Sequence, residues 1–338
     1  MNNATFDVED WNNEYARRYI VSTILQSFFL IFGFSGNLIV LATYITKMKS
    51  THDDRYFIPI LAGVDLSGCV VSTTLILLSN NQPYKYPSSL ICKSLNGVTC
   101  GLIVASIFLL LVISVQRYQK ICRPFGFQMN LKCKRTVVTM VLIIATVFVL
   151  PSFFLYEKVQ VFHPVKNITG HRCGPVPSTK TVGEIYRSML MAAELISVIS
   201  MSVLYGFVGY TILTRRKPAG NVLGVAKPHH KTIDENPQES GITSRKGNMR
   251  SGKQYSLMFM SISLISILCF FPPWICIILE TKDKAFWDHL THEETQVFIL
   301  MRGVFVLNFV INPFIYGFFD SKFRENVKSM FKMLTEKK

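Results

Sequence analysis

Three charged side chains stand alone in long stretches of sequence that otherwise carry none: Asp65, Glu194 and Arg302. An ionised group in apolar surroundings is costly unless it gains hydrogen bonds or a counter-charge, so each position is a candidate for binding chemistry. A guanidinium such as Arg302 suits a ligand carboxylate, which it can grip through two parallel bonds. Arg302 has a second reading, an internal ion pair with Glu194 or Glu280. No hydrolytic or metal-ligand pattern competes with these residues. There is no His-Glu-x-x-His, and His163, His171, His289 and His292 fall in loops or at helix ends, so the chain is not expected to be an enzyme.

The segments that must position these residues are apolar and long. Of 338 residues, 49% are hydrophobic and only 17% charged, against about a quarter charged in soluble domains. Seven runs account for the difference: 20–45, 57–78, 95–116, 136–156, 188–214, 254–279 and 295–319, each of at least 21 residues. About 20 helical residues cross the hydrocarbon core of a bilayer. A soluble helical protein would place charges on every turn. The expected fold is therefore all-α, a bundle of seven transmembrane helices. The first run is too long for the core of a signal peptide and is expected to stay in the membrane.

With the amino terminus (1–19) outside, the cytoplasmic segments hold 23 Lys and Arg against 8 acidic residues, and the outer segments 12 against 11. That obeys the positive-inside rule. The net charge of +15 is then a topology signal, and no folded basic surface remains to bind nucleic acid. Both N-x-S/T sequons, at Asn3 and Asn167, fall outside, as glycosylation requires. Cys92 and Cys173 are the two cysteines in oxidising space, so one disulfide is expected. Residues 215–252 are rich in Gly, Pro, Lys and Asn and read as a flexible cytoplasmic loop. In 320–338, Phe323, Val327, Met330, Phe331 and Leu334 recur at helical spacing among lysines, which predicts an amphipathic helix on the inner membrane surface.

Gly36-Asn37, Asp65, Cys92, Gln116-Arg117-Tyr118, Pro272 and Asn312-Pro313-Phe314-Ile315-Tyr316 stand in an order and spacing by which residues 20–335 resemble the rhodopsin-like G-protein-coupled receptor family. Gly36-Asn37 is similar to the family's GN motif, and Leu61 to Leu66 with Asp65 to its LAxxDL. Cys92 precedes Gln116-Arg117-Tyr118 as the family's disulfide cysteine precedes its DRY arginine, 25 residues apart. Cys269-Phe270-Phe271-Pro272 is similar to CWxP, and Asn312-Pro313-Phe314-Ile315-Tyr316 to NPxxY. The resemblance implies a ligand-driven switch that opens an inner face to a heterotrimeric G protein. It implies a sodium site at Asp65 with Ser106, Asn308 and Asn312, all oxygen donors suited to a hard cation; a hydrogen-bonded cluster, or a protonated Asp65, is the other reading. No other cofactor is expected. It makes Arg117 the inner lever, met in the active state by Tyr205 and Tyr316, with Pro272 and Pro313 as hinges.

The departures from the family are specific. Gln116 replaces the acid of DRY, and Gly252 and Lys253 stand where the family places a second acid. A neutral partner holds an arginine less tightly than a carboxylate does, so a weak latch and raised basal signalling are expected. Phe270 stands for the toggle tryptophan and Ser197 for a helix-5 proline. Thr99 replaces the aspartate that binds amines, and Val306 the lysine that binds retinal. Arg187, Glu194, Trp274, Ile277, Glu280 and Arg302 are expected to line the ligand cavity with Thr99. A peptide is the leading ligand; a lipid or small acid is the alternative, and a transporter is the reading from another class.

Overall fold

A computed structural model describes residues 6–47, 55–163, 165–214, 239–283 and 286–336. The sequon at Asn3 and most of the long inner loop, 215–238, lie outside them. The chain begins with α1 (Val8–Arg18) and continues through α2 (Ile20–Thr46), α3 (Phe57–Asn81), α4 (Ser89–Cys122), α5 (Leu131–Val149) and the short α6 (Ser152–Leu155). A hairpin of β1 (Tyr156–Phe162) and β2 (Thr169–Pro175) follows. Then come α7 (Lys180–Thr214), α8 (Glu239–Lys282), α9 (Phe286–His289), α10 (His292–Gly303), α11 (Leu307–Phe319) and α12 (Ser321–Glu336).

Seven helical stretches among the described residues are long and apolar enough to cross a membrane. The arrangement of their side chains is inverted relative to a soluble protein. Large apolar residues such as Ile31, Phe32, Ile143, Ile196, Phe207 and Leu268 point outward and are exposed. The fully enclosed positions include Asn37, Asp65, Ser72, Ser106, Asn308 and Asn312. Only a non-aqueous surrounding stabilises that pattern, and the chain is a multi-pass membrane protein.

The bundle is helical as expected, with one element that is not. The β1–β2 hairpin pairs antiparallel, with Lys158 opposite Cys173. It is anchored by the Cys92–Cys173 disulfide, whose Cα atoms are 5.5 Å apart. Asn96 Nδ2 donates to the Cys173 sulfur at 3.1 Å. Asn167 sits exposed beside the turn at φ 50°, a left-handed conformation that asparagine tolerates better than most residues. Alternation in Tyr156–Phe162 is too short and too mixed to separate a strand from the end of the preceding apolar run.

The amino-terminal segment is an ordered part of this outer layer. Asp7 caps α1 in a reciprocal box with Asp10. Trp11 is buried, stacks on Tyr84 with ring centres 3.7 Å apart and meets the edge of His163. Asn12 bonds Asn81 and the Tyr84 backbone, and Glu9 pairs with Lys85. Burial under this helix pushes the Tyr84 phenol up. The Asp7-x-x-Asp10 spacing was the available sequence signal for the cap.

The last span is two helices joined by a 3-10 turn, Val304–Val306. The Gly303 carbonyl at the break accepts a bond from Gln26 Nε2 of α2 at 3.2 Å. A Cβ on Gly303 would stand 2.5 Å from that nitrogen, so the approach requires glycine. Farther in, Pro313 cannot donate to the carbonyl four residues back. That carbonyl belongs to Phe309, and Asn37 Nδ2 supplies the missing donor at 2.8 Å. Gly36, one residue earlier, lets Pro313 lie against α2. The Gly-Asn pair thus repairs the break that the proline makes. Asn37→Leu should therefore cost about 1–3 kcal/mol, read as a lower thermal midpoint of the purified protein. Ser35→Ala, which removes a redundant bond on the exposed face, should leave the midpoint unchanged.

Candidate functional site

Three groups of side chains occupy successive depths of the bundle. The middle group is built on Asp65 of α3, which is fully buried. Ser106 Oγ of α4 donates to Asp65 Oδ1 at 3.3 Å, and Asn312 Nδ2 of α11 donates to Oδ2 at 2.6 Å. Asn308 Nδ2 reaches Ser106 Oγ at 3.1 Å. The structure therefore brings together all four residues expected to share a site. The amide oxygens of Asn308 and Asn312 are buried and accept no hydrogen bond among the described residues. Two unpartnered amide oxygens beside a carboxylate and a hydroxyl form a donor set that fits a hard monovalent cation.

The outer group lies between α4, α7, α8 and α10. Arg302 Nη1 meets Glu280 Oε1 at 3.1 Å. That oxygen also accepts from Trp287 Nε1 at 3.0 Å, and the guanidinium lies 5.9 Å from the Trp287 ring centre. Of the two internal pairings open to Arg302, the one with Glu280 is formed. Glu194 instead accepts a 2.7 Å bond from Trp274 Nε1 across the α7–α8 seam. Arg187, on α7, is half-buried. Thr99 is buried and accepts from Ser72 at 3.4 Å, so it belongs to the polar wall between α3 and α4. Ile277 is half-buried, one turn beyond Trp274.

The inner group centres on Arg117, which is buried at 1% exposure. Its Nη2 donates to Gln116 Oε1 at 3.2 Å, and the guanidinium lies 5.1 Å from the ring centre of Phe259 on α8. A ring face at that distance attracts a cation, by up to about 2 kcal/mol when both are desolvated. Phe259 was not singled out from the sequence, because a phenylalanine in an apolar run carries no signal of its own. Tyr118 is half-buried and faces Phe207 of α7. Tyr205 and Tyr316 are buried, and their hydroxyls have no hydrogen-bond partner among the described residues. Phe270 is buried in α8, just before Pro272 and Pro273, which both lie inside that helix.

A second inner feature escaped the sequence reading. Arg55 and Asp320 form a buried ion pair at 2.9 Å, joining the start of α3 to the start of α12. Asp320 also accepts from the Phe323 backbone and so caps α12. Arg324 and Gln254 donate to the carbonyls of Gly317, Phe318 and Phe319 at the end of α11. The Arg55–Asp320 pair and the Arg324 bonds fix α12 to the bundle, and the Gln254 bond ties α8 to the end of α11.

A model of the 7 transmembrane receptor (rhodopsin family) matches residues 36–316. The chain belongs to that family. The receptor is 24% identical over 93% of its length to the Tachykinin-like peptides receptor 99D of Drosophila melanogaster, of which it spans 57%. It is 22% identical over 94% of its length to the Neuropeptide FF receptor 2 of Rattus norvegicus and spans 75% of it. It is 24% identical over 95% to the Nematocin receptor 2 of Caenorhabditis elegans and spans 82% of that chain. Receptors of this family are not enzymes.

The buried Arg55–Asp320 pair sets a stability test. Arg55→Met removes this cation from beside a buried carboxylate and should cost about 3–5 kcal/mol. Adding Asp320→Asn removes the buried negative charge while keeping an α12 cap, so the double variant should recover most of the thermal midpoint.

Proposed function

We propose that the receptor sits in the plasma membrane with its amino terminus outside, binds an extracellular peptide between α4, α7, α8 and α10, and activates a heterotrimeric G protein at its basic inner face. The observation that carries this reading is the three-level arrangement: a charged outer group, a polar middle around Asp65, and a buried Arg117 at the inner end. Three relatives named as peptide receptors support the ligand class. The disulfide and the Asn167 sequon on one side, and the excess of Lys and Arg on the other, support the orientation. The apolar stripe of α12 then rests on the inner leaflet.

Signalling in this reading is a shift between two packings of the helices. In the inactive packing, Gln116 and Phe259 hold Arg117, so α4 and α8 are tied at the inner end. When α8 swings out, Arg117 loses the ring face. The unpartnered hydroxyls of Tyr205 and Tyr316 then become its candidate partners. The prolines within α8 and α11 supply places where the backbone bends without losing a bond it already lacks.

A neutral glutamine holds an arginine less tightly than a carboxylate does. Gln116→Asp should lower ligand-free signalling in cells, and Phe259→Leu should raise it, each compared at equal surface expression. A library of synthetic peptides, scored against reporters for several G-protein pathways, tests the receptor reading itself. Silence of every pathway with and without peptide, despite surface expression, would overturn it.

Asp65, Ser106, Asn308 and Asn312 would hold a sodium ion. When bound, that ion would supply the positive charge that the carboxylate otherwise lacks. The residues themselves tie α3, α4 and α11 together at one depth. Replacing sodium by choline in the buffer should lower the thermal midpoint of the purified receptor, and Asn308→Val should abolish the difference. An identical midpoint in both salts would favour the hydrogen-bonded cluster alone.

A further inference from the structure

The charges of the outer cavity are unequally satisfied. Glu280 is matched by Arg302, Glu157 faces Lys93 at 4.0 Å, and Glu9 faces Lys85. Glu194 lies deepest of these carboxylates, inside a membrane span. Its one partner among the described residues is a neutral donor, the Trp274 indole. Arg187 is seven residues earlier on the same helix face, about 10 Å along the axis.

A carboxylate has about four acceptor positions, and a single indole uses one. The remainder have no partner among the described residues, at a half-buried position within a membrane span where desolvation is expensive without a cation. Arg302, the apparent anion receptor of the cavity, already spends its charge on Glu280. Glu194 is thus the one carboxylate of this group whose partner among the described residues is not a cation.

We propose that Glu194 receives a cationic group of the ligand, a guanidinium or ammonium side chain that reaches down between α4, α7 and α8. This rests on the peptide-receptor reading and narrows it to peptides carrying a basic residue at the inserted end. It also replaces the expectation of a ligand anchored by its carboxylate on Arg302. The incoming cation competes with the Trp274 indole for the same oxygens. Trp274 directly follows Pro272 and Pro273, so loosening its bond acts on α8 where the helix already lacks backbone bonds.

The test uses the full-length receptor in lipid nanodiscs with two small probes, N-acetyl-arginine amide and N-acetyl-citrulline amide, which differ in charge and hardly in shape. The arginine probe should raise the thermal midpoint in a saturable way, and the citrulline probe should not. Glu194→Gln keeps an acceptor for Trp274 and should erase the difference. Trp274→Phe removes the competing donor and should make the arginine response appear at lower concentration, which keeps the test open if the first variant folds poorly. Equal responses to the two probes in the wild type, or an arginine response that survives Glu194→Gln, would overturn the assignment. For any peptide that activates the receptor, exchanging its basic residue for citrulline should cost about 30-fold or more in potency. That exchange should cost nothing further in Glu194→Gln. A positive peptide screen with no charge dependence would sink this inference and leave the receptor reading standing. A charge-dependent probe response with a silent screen would do the reverse.

Discussion

The hydrocarbon core of a membrane offers no water, so every polar group at that depth must find its partner inside the protein. That constraint organises the receptor. The Phe309 carbonyl, released by Pro313, is taken by Asn37. The Gly303 carbonyl at the break in the last span is taken by Gln26. Serine and threonine hydroxyls along the exposed faces, such as Ser35, Thr146 and Ser202, fold back on carbonyls four residues earlier. Buried atoms left without a partner among the described residues include the Asn308 and Asn312 amide oxygens and the Tyr205 and Tyr316 hydroxyls, and Glu194 has one neutral partner, the Trp274 indole. These are the positions where a ligand, an ion or a second packing of the helices can supply the missing bond.

How much of this the sequence discloses depends on whether a residue acts by its type or by its position. Charge in an apolar run is a signal by type, so Asp65, Glu194 and Arg302 stand out without any structure. Motif spacing links Asp65 to Ser106, Asn308 and Asn312 through the family resemblance, and the geometry brings those four together. Partner choice is not written in type. The sequence leaves Arg302 open between Glu194, Glu280 and a ligand, because helix rotation and tilt decide which side chain it meets. Phe259 is one phenylalanine among 26, and only its place over Arg117 makes it a restraint. Arg55 and Asp320 lie 265 residues apart, flank different spans, and look like ordinary interfacial charges until α12 is docked. The β1–β2 hairpin was hidden for another reason: its disulfide and its contacts with α1 override a weak local pattern.

The outer layer bears on access to the cavity. Helix α1, the Tyr84–Tyr86 segment and the hairpin form one packed unit, since His171 exchanges backbone bonds with Tyr84 and Tyr86 and Trp11 lies under the same strand. The disulfide couples that unit to α4. A ligand entering from this side meets a structured rim, which cuts the ordering cost that a floppy rim would impose on binding.

One helix joins the ends of the receptor. Phe259 and Trp274 both belong to α8, fifteen residues or about 22 Å apart, with Pro272 and Pro273 close to the outer one. At the inner end the ring of Phe259 holds the cation of Arg117; at the outer end the indole of Trp274 holds the anion of Glu194. Each contact joins a neutral aromatic of α8 to a buried charge on a neighbouring helix. Each contributes on the order of 1–3 kcal/mol, which is also the usual size of the coupling between two sites. A stronger bond at either end would lock α8, because a ligand can shift the equilibrium only by the difference in its affinity for the two packings. In the proposed reading, replacing the acid of the inner motif by Gln116 and pairing Glu194 with an indole work in the same direction: both would keep α8 within reach of what one bound charge can move.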